Sequence, residues 1–413
     1  MKYKDFLSNH SSSSIVKFCQ AVNWDNPEEA KDCLGLLHSW QKPGKIEILQ
    51  LLFFQNRPIR EFAVQLLEDY SDVELESVLS QLVQAMRFEE FENAPDRKAL
   101  VYFIINRALA SKEHVLLSYL FWYVKVESDM PYNRGVFPKI LVYLKAKLKQ
   151  HSGTKHDYII YQQAMMKDIQ DSMVHTWSSK SDRVKRQEYL RQILSNYKNF
   201  KYEIDHSKDT PSCVYDSKSK VKAIPLPLNP RVLVTGIKNQ DCVLFRSALM
   251  PARITFTTST GEDYVTIMKM GDDLRQDQLI VQLFEMMDDV LKQDNLDLKL
   301  THYKVLAISN DFGFIECVPK IRAVADIFKE DNNTLVKFLD TETKLEKYVK
   351  SCAAYCIITY LLGIGDRHFD NLLMCDDGRI FHIDFGFIGS NSTKNFFCVV
   401  SNYGLCNFSK LDV

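Results

Sequence analysis

The sequence contains no Gly-x-Gly-x-x-Gly string, no Cys-x-x-Cys pair and no Ala-Pro-Glu. Without the glycine-rich loop and the Ala-Pro-Glu, an ordinary protein kinase is a poor reading. The ten cysteines are scattered, and only Cys352 and Cys356 stand one helical turn apart, with no histidine cluster beside them. A zinc site is therefore not expected, and the thiols read as buried groups in a reducing compartment. No apolar run is long enough to span a bilayer. The nearest, Cys352 to Gly365, carries two tyrosines and runs straight into Asp366, so it reads as a buried helix. The opening MKYKDFLSNHSSSS lacks the apolar core of a signal peptide. The formal net charge is −1. No basic stripe with interleaved aromatics is present, which speaks against nucleic acid as a partner. Attraction to an anionic membrane must then come from a local patch or a partner.

What is present is a chain of 413 residues, 46% apolar and 25% charged, enough for two or three domains. From about residue 20 to 197 the pattern is helix after helix. Glu28 to His38 is one candidate, and Pro58 opens another where its missing N–H costs nothing. Val73 to Phe88 places apolar groups at 75, 78, 79, 82, 83 and 86, one helical stripe. Further helices are expected from Asp96, from Lys112 and near 138–150, 156–176 and 182–197. Short helices joined by short turns predict an α-solenoid over 15–197. Residues 198–223 are polar and weakly periodic and read as a linker. IPLPLNP at 224–230 is extended, because proline restricts its own φ and the residue before it. Strand patterns follow at RVLVTGI, CVLFRSAL, ARITFTTS, YVTIMKM, YKVLAIS and FGFIECV. A helix capped by Asp272 or Asp273 interrupts them, and a long helix spans about 342–362. The fold class is α+β: a helical solenoid, then a bilobal kinase plan over 224–413.

The most telling segment is GDRHFDNLLMCDDGRIFHIDFGFI at 365–388. Phosphoryl transfer needs a polar loop that orients the attacking hydroxyl and two oxygen ligands that hold magnesium on the ATP phosphates. Asp366 and His368 can serve the hydroxyl, while Asn371 and Asp384 can hold the metal, Mg2+ or Mn2+. Arg367 is expected to pair with a nearby acidic side chain rather than touch substrate. A hairpin turning at Asp376-Asp377-Gly378 would bring Asp384 beside Asn371. A second Asp-Phe-Gly, at 311–313, has no Asp-Arg-His upstream and reads as a turn. Lys269 ends a strand from which it can reach the α- and β-phosphates, with Asp277 as the carboxylate that holds it.

The inverted order Asp-Arg-His resembles the phosphoinositide 3-kinase and 4-kinase superfamily. GDDLRQDQLIVQLFEMMDDVLKQDNLDLKLTHYKVLA, VKSCAAYCIITYLLGIGDRHFDNLL, FRSALMPA and IPLPLNP together resemble the class III phosphatidylinositol 3-kinases. NWDNPEEAK, NRPIREFAVQLL, LESVLSQLVQAMRFE and SYLFWYVKVE resemble that family's helical (PIK) domain. The likeness runs from about residue 20 to 388. It implies ATP-dependent phosphorylation of the 3-hydroxyl of phosphatidylinositol, on endosomal and autophagic membranes, beside a kinase-like regulatory subunit. It also implies a nucleotide site. Ser247 would stand in the phosphate loop, Lys269 at the phosphates and Tyr303 in the pocket wall. The backbone of Phe314, Ile315, Glu316 and Cys317 would meet the adenine.

Two departures stand beside the likeness. The family's C2 domain is expected before the helical domain, and only about twenty residues precede the first helix here. After Asp384 the tail GSNSTKNFFCVVSNYGLCNFSKLDV does not resemble the family's activation loop, and it holds Lys394 and Lys410 but no arginine. An incomplete C-lobe is therefore expected. The alternative from another class is a kinase-like binding module that docks a regulatory subunit and binds nucleotide without turnover.

Overall fold

The computed structural model describes residues 8, 11–89, 99–130, 135–151, 153–178, 182–205, 212–247, 249–330 and 334–386. The helix start expected at Asp96 and the tail with Lys394 and Lys410 lie outside these residues. The chain divides into two compact units, Met1–Ile169 with Phe200–Thr235, and Gln170–Asn199 with Gly236–Val413.

The first unit is built on helices. They are α1 (Ile15–Ala21), α2 (Pro27–Leu37), α3 (Lys45–Leu52), α4 (Arg57–Leu67), α5 (Asp72–Ser77) and α6 (Leu79–Ala85). After these come α7 (Leu100–Ala110), α8 (Val115–Asp129), α9 (Val136–Gln150) and α10 (Thr154–Ser178), the last belonging here as far as Ile169. Neighbours in sequence pack as neighbours in space, α3 on α4 and α8 on both α7 and α9. Their starts are written locally. Asn26 caps α2 by accepting the N–H of Glu28, and Ser71 and Glu74 form a reciprocal capping box at α5. The stripe from 73 to 88 is not one helix, however. It breaks at Val78 (φ −122°, ψ 11°), where the Ser77 hydroxyl has turned back onto the carbonyl of Glu74.

The segment expected to be a linker is folded. Strands β1 (Tyr202–Asp205) and β2 (Ser212–Tyr215) pair antiparallel from Tyr202↔Tyr215 to Asp205↔Ser212, and the Tyr202 hydroxyl bonds Asp168 at 2.8 Å. The proline-rich stretch that follows, expected to open the catalytic part, lies instead on the helices of this first unit. It forms β3 (Ile224–Leu226) and the start of β4 (Asn229–Ile237). Prolines supply carbonyls without N–H groups, and helix side chains answer them. Gln162 donates to the carbonyl of Pro225 at 2.9 Å, Tyr119 to that of Leu228 at 3.1 Å, and the His114 ring meets that of Pro230 at 2.7 Å. Arg231 closes the series with a bidentate pair to Glu76, 2.6 Å on each arm. Gln162 is wholly buried and also accepts from Trp122 Nε1 at 3.0 Å. Gln162→Leu strands a buried indole N–H and a buried carbonyl. It is expected to destabilise the first unit by about 2–4 kcal/mol, read as a lower urea midpoint.

The second unit holds α11 (Arg183–Leu194) and an antiparallel sheet of β5 (Val243–Leu244), β6 (Ala252–Thr258), β7 (Asp263–Met270), β8 (Val305–Ala307) and β9 (Phe312–Glu316). Within the unit the strand order is β5-β6-β7-β9-β8. Helix α12 (Arg275–Gln293) packs on β8, and Gln278 accepts the N–H of Ala307 at 3.0 Å. The remainder is β10 (Ile321–Ala323), α13 (Val324–Glu330), α14 (Glu342–Leu361) and the hairpin β11 (Leu372–Cys375) and β12 (Ile380–His382), with β11 also pairing β10. Leu372, Met374 and Ile380 of that hairpin share a core with Val324, Tyr348 and Cys352. The hairpin turns at Asp376-Asp377-Gly378. Gly378 has φ 96°, and a Cβ there would stand 2.4 Å from the carbonyl oxygen of Lys344.

Candidate active site

Helix α14 ends in a motif that aims the chain into the site. Gly363 adopts φ 61°, its N–H reaches the carbonyl of Tyr360, and the N–H of Ile364 reaches that of Thr359. This pair of bonds is a Schellman motif, and glycine supplies the left-handed residue it requires. Buried Ile364 seals the end, and the loop 365–371 follows.

Arg367 organises that loop. It is buried, and its guanidinium donates to the carbonyls of Gly365 (2.7 Å), Ile383 (2.8 Å) and Asp384. It also lies 5.5 Å from the ring centre of Phe385. The acidic hydrogen-bond partner expected for Arg367 is thus replaced by backbone, because the side chain bridges two segments rather than meeting substrate. Burial pushes its pKa down, against the attraction of Asp384 and Asp366. The same bridge sets Asn371 next to Asp384. The N–H of Ile383 bonds the carbonyl of Asn371 at 3.1 Å, one step beyond the β11–β12 pair Leu372↔His382. Asn371 Nδ2 donates to the carbonyl of Asp366 at 3.0 Å, which leaves the side-chain oxygen as the donor to a cation.

Asp366 (φ 53°) and Asp384 (φ 61°) both sit in the left-handed region, uncommon for residues with a Cβ. The surroundings overdetermine them. Next to Asp384, buried Phe385 donates its N–H to Asp277 Oδ1 at 3.1 Å, and its carbonyl accepts from Gln276 Nε2 at 2.5 Å. Its ring packs edge-on to Phe284 at 5.3 Å. The carboxylates of Asp366 and Asp384 remain exposed. His368 is half exposed and stands 3.8 Å from Asp370, not against Asp366.

Lys269 lies at the end of β7, and its ion-pair partner is Asp272 at 3.0 Å rather than Asp277. Asp277 is taken up by the N–H of Phe385, though its charge still acts on Lys269. Burial pushes the Lys269 pKa down, but Asp277, Asp272 and Asp384 together push it up further, so it stays charged. Burial raises the pKa of Asp277, with Lys269 opposing. Asp272, missed from sequence, could have been noticed as the carboxylate three residues on, across the turn at Gly271. Leu274 occupies the N-cap position of α12, and Asp273 just before it accepts the first helical N–H, that of Arg275, at 3.1 Å, while Asp272 is engaged by Lys269. The helix begins at Arg275, and Asp273 pairs with that arginine at 2.5 Å.

Ser247 is exposed in the β5–β6 loop, where its carbonyl accepts from Met250 at 3.1 Å. The register Ala252↔Met268 sets the end of that loop beside Lys269. Tyr303 is buried and donates to the carbonyl of His382 at 3.2 Å, and burial raises its pKa well above the ordinary value. The backbone N–H groups of Phe314 to Cys317 are taken up by neighbouring strands. β9 is flanked by β7 and β8, with Glu316 N–H on Lys304 and Cys317 N–H on Val265. The next amide, Val318, has no backbone partner among the described residues. Asp311 of the second Asp-Phe-Gly lies in the β8–β9 turn and accepts from Ser309 at 2.7 Å.

Among the described residues no three His, Cys, Asp or Glu side chains converge as a metal cluster. Asn371 and Asp384 offer one amide and one carboxylate oxygen. That small, hard donor set suits a magnesium ion which takes its other ligands from phosphate and water. No helix among the described residues is long and apolar enough to cross a membrane.

Residues 1–175 match the accessory (PIK) domain of the phosphoinositide 3-kinase family, and residues 263–346 and 334–397 match the phosphatidylinositol 3- and 4-kinase model. The soybean (Glycine max) phosphatidylinositol 3-kinase, root isoform, is 37% identical over 406 residues, which is 93% of this chain and 47% of the relative. Phosphatidylinositol 3-kinase VPS34 of Arabidopsis thaliana is also 37% identical, with the same coverage. VPS34 of Saccharomyces cerevisiae is 32% identical over 436 residues, 96% of this chain and 50% of the relative. The chain spans about half the length of the curated relatives it matches. With a PIK domain, a kinase domain and this degree of identity, the chain belongs to the phosphatidylinositol 3-kinase family.

Proposed function

We propose that this chain carries out ATP-dependent phosphorylation of the 3-hydroxyl of phosphatidylinositol, from the unit Gln170–Asn199 with Gly236–Val413. The observation that carries the proposal is the Arg367 bridge, which holds Asn371 and Asp384 side by side near a charged Lys269. Lys269 steadies the α- and β-phosphates, and the Ser247 loop covers them. The adenine edge meets Val318 rather than Phe314 to Cys317, whose amides are spent in the sheet. Asn371 and Asp384 hold magnesium or manganese, which when bound neutralises charge on the transferring phosphoryl group. His368, exposed at the mouth, accepts the proton of the inositol hydroxyl, and Asp366 orients that hydroxyl. The oxygen–phosphorus bond to the lipid forms as the β–γ bridge breaks, and ADP leaves with the electron pair.

The membranes are endosomal and autophagic, and a kinase-like regulatory subunit accompanies the chain, as the family resemblance implies. The test is purified protein incubated with labelled ATP, magnesium and phosphatidylinositol vesicles. Label on the 3-position of the lipid is expected. Stabilisation by ATP–magnesium with no lipid turnover, with the regulatory subunit present or absent, selects the nucleotide-binding module instead.

A further inference from the structure

Strand β12 ends at His382, so among the described residues no strand partner fixes Asp384 or Phe385. Asp384 nevertheless keeps a φ of 61°, a conformation that persists only where the surroundings impose it. Arg367 secures one side, donating to the carbonyls of Ile383 and Asp384. The first turn of α12 secures the other. Asp277 Oδ1 accepts the N–H of Phe385 at 3.1 Å, and Gln276 Nε2 donates to its carbonyl at 2.5 Å. Two consecutive residues of a helix thus offer Phe385 the acceptor and the donor that a neighbouring strand would offer.

The two partners differ in what else they serve. Asp277 is buried and its charge also acts on Lys269, so a change there disturbs the phosphate end and the metal end together. Gln276 is exposed and uncharged. An exposed amide can bond water instead, so the glutamine has no need of this contact for its own satisfaction. What the bond fixes is its other end, the peptide that follows Asp384. We propose that Gln276 is a positioning residue of the metal site: by holding the carbonyl of Phe385 it keeps the Asp384 carboxylate where it can share a cation with Asn371. This role rests on the assignment of Asp384 to the metal, and it adds the first turn of α12 to the groups that set cation affinity.

The test uses Gln276→Met in the full chain, which keeps the side-chain length and removes the donor. Methionine and glutamine have similar helix propensities, so α12 is spared. The probe is a fluorescent methylanthraniloyl derivative of adenylyl imidodiphosphate, a nucleotide that is not turned over, titrated with Mn2+. The Mn2+ concentration for half-maximal binding should rise at least roughly tenfold, the usual effect of losing a group that orients a metal ligand. Nucleotide affinity in EDTA should stay within about twofold, and the thermal midpoint within a few degrees, as expected for an exposed position. Gln276→Ala, which removes the donor without adding an apolar tip, should behave alike. Unchanged Mn2+ dependence in either folded variant overturns the proposal. So does an equal loss of nucleotide affinity in EDTA, which would mean that Gln276 supports the pocket at large. A parent protein whose nucleotide binding ignores Mn2+ overturns both this role and the metal assignment. A parent that shows the expected Mn2+ dependence but transfers no phosphate to lipid counts against the kinase reading alone, and the Mn2+ shift in the variants still decides the role of Gln276.

Discussion

Asp384→Asn is expected to abolish lipid phosphorylation, lowering kcat by at least ~10³-fold, while leaving the fold in place. The bonds that hold residue 384 go to its backbone, not its carboxylate: Arg367 donates to its carbonyl, and Asp277 and Gln276 hold the neighbouring Phe385. Asparagine also tolerates the left-handed φ of 61° found there. The substitution therefore removes a negative charge from the proposed metal ligand and little else. Steady-state kinetics with phosphatidylinositol vesicles measure the loss, and a thermal midpoint within a few degrees of the parent shows that folding was spared. Asp384→Leu is a poorer probe, since a branched apolar side chain at that φ adds strain of about 1–3 kcal/mol.

Asp311→Asn is the matched control. It alters the other Asp-Phe-Gly, whose aspartate sits in the β8–β9 turn and bonds Ser309. Activity should stay within about twofold, because a surface polar swap of this kind disturbs little. If the two variants lose activity equally, the assignment of Asp384 to the metal fails.

Much of this site can be read from sequence because its parts are local. The Asp-Asp-Gly turn fixes the β11–β12 hairpin, and the hairpin fixes the register that sets Asn371 near Asp384. What could not be read needs the fold. Lys269 is followed by Asp272, Asp273 and Asp277 within eight residues, and only the orientation of α12 gives the ion pair to Asp272 and turns Asp277 toward Phe385. FIECV reads as a strand either way. Whether its amides are free depends on its having β7 on one side and β8 on the other, which no local pattern encodes.

The domain boundary was hidden for a similar reason. IPLPLNP looks like the start of a new domain because its prolines stop the helical periodicity. Its carbonyls are satisfied by Gln162, Tyr119 and His114, more than sixty residues upstream. Contacts of that kind, side chain to distant carbonyl, leave no period in the sequence. The polar stretch before it hides a hairpin for the same reason, since only Phe200 and Tyr202 announce that one face is buried.

His382 predicts an acid sensitivity that can be separated from catalysis. Its ring is buried, stacks on Tyr355 at 4.7 Å and 14°, and has no partner for Nδ1 among the described residues. Burial, with Arg367 adding repulsion, pulls its pKa from 6.5 to about 3. The unfolded chain therefore takes up a proton near pH 6.5 that the folded chain refuses until about pH 3. Stability is unaffected above that window and falls with pH through it, by ~1.4 kcal/mol per pH unit once well inside it. Between pH 7 and pH 4.5 the loss from this one ring is about 2–3 kcal/mol. Acids such as Asp277 and Glu285, whose pKa values burial raises, oppose this trend, so the comparison must be between variants. His382→Phe retains a ring to stack on Tyr355 and removes the titrating group. Its urea midpoint should fall less between pH 7 and 4.5 than that of the parent, by the equivalent of those 2–3 kcal/mol. Parallel pH profiles for the two proteins would mean that His382 is protonated in the folded state and that its surroundings are wetter than the packing against Tyr355 implies.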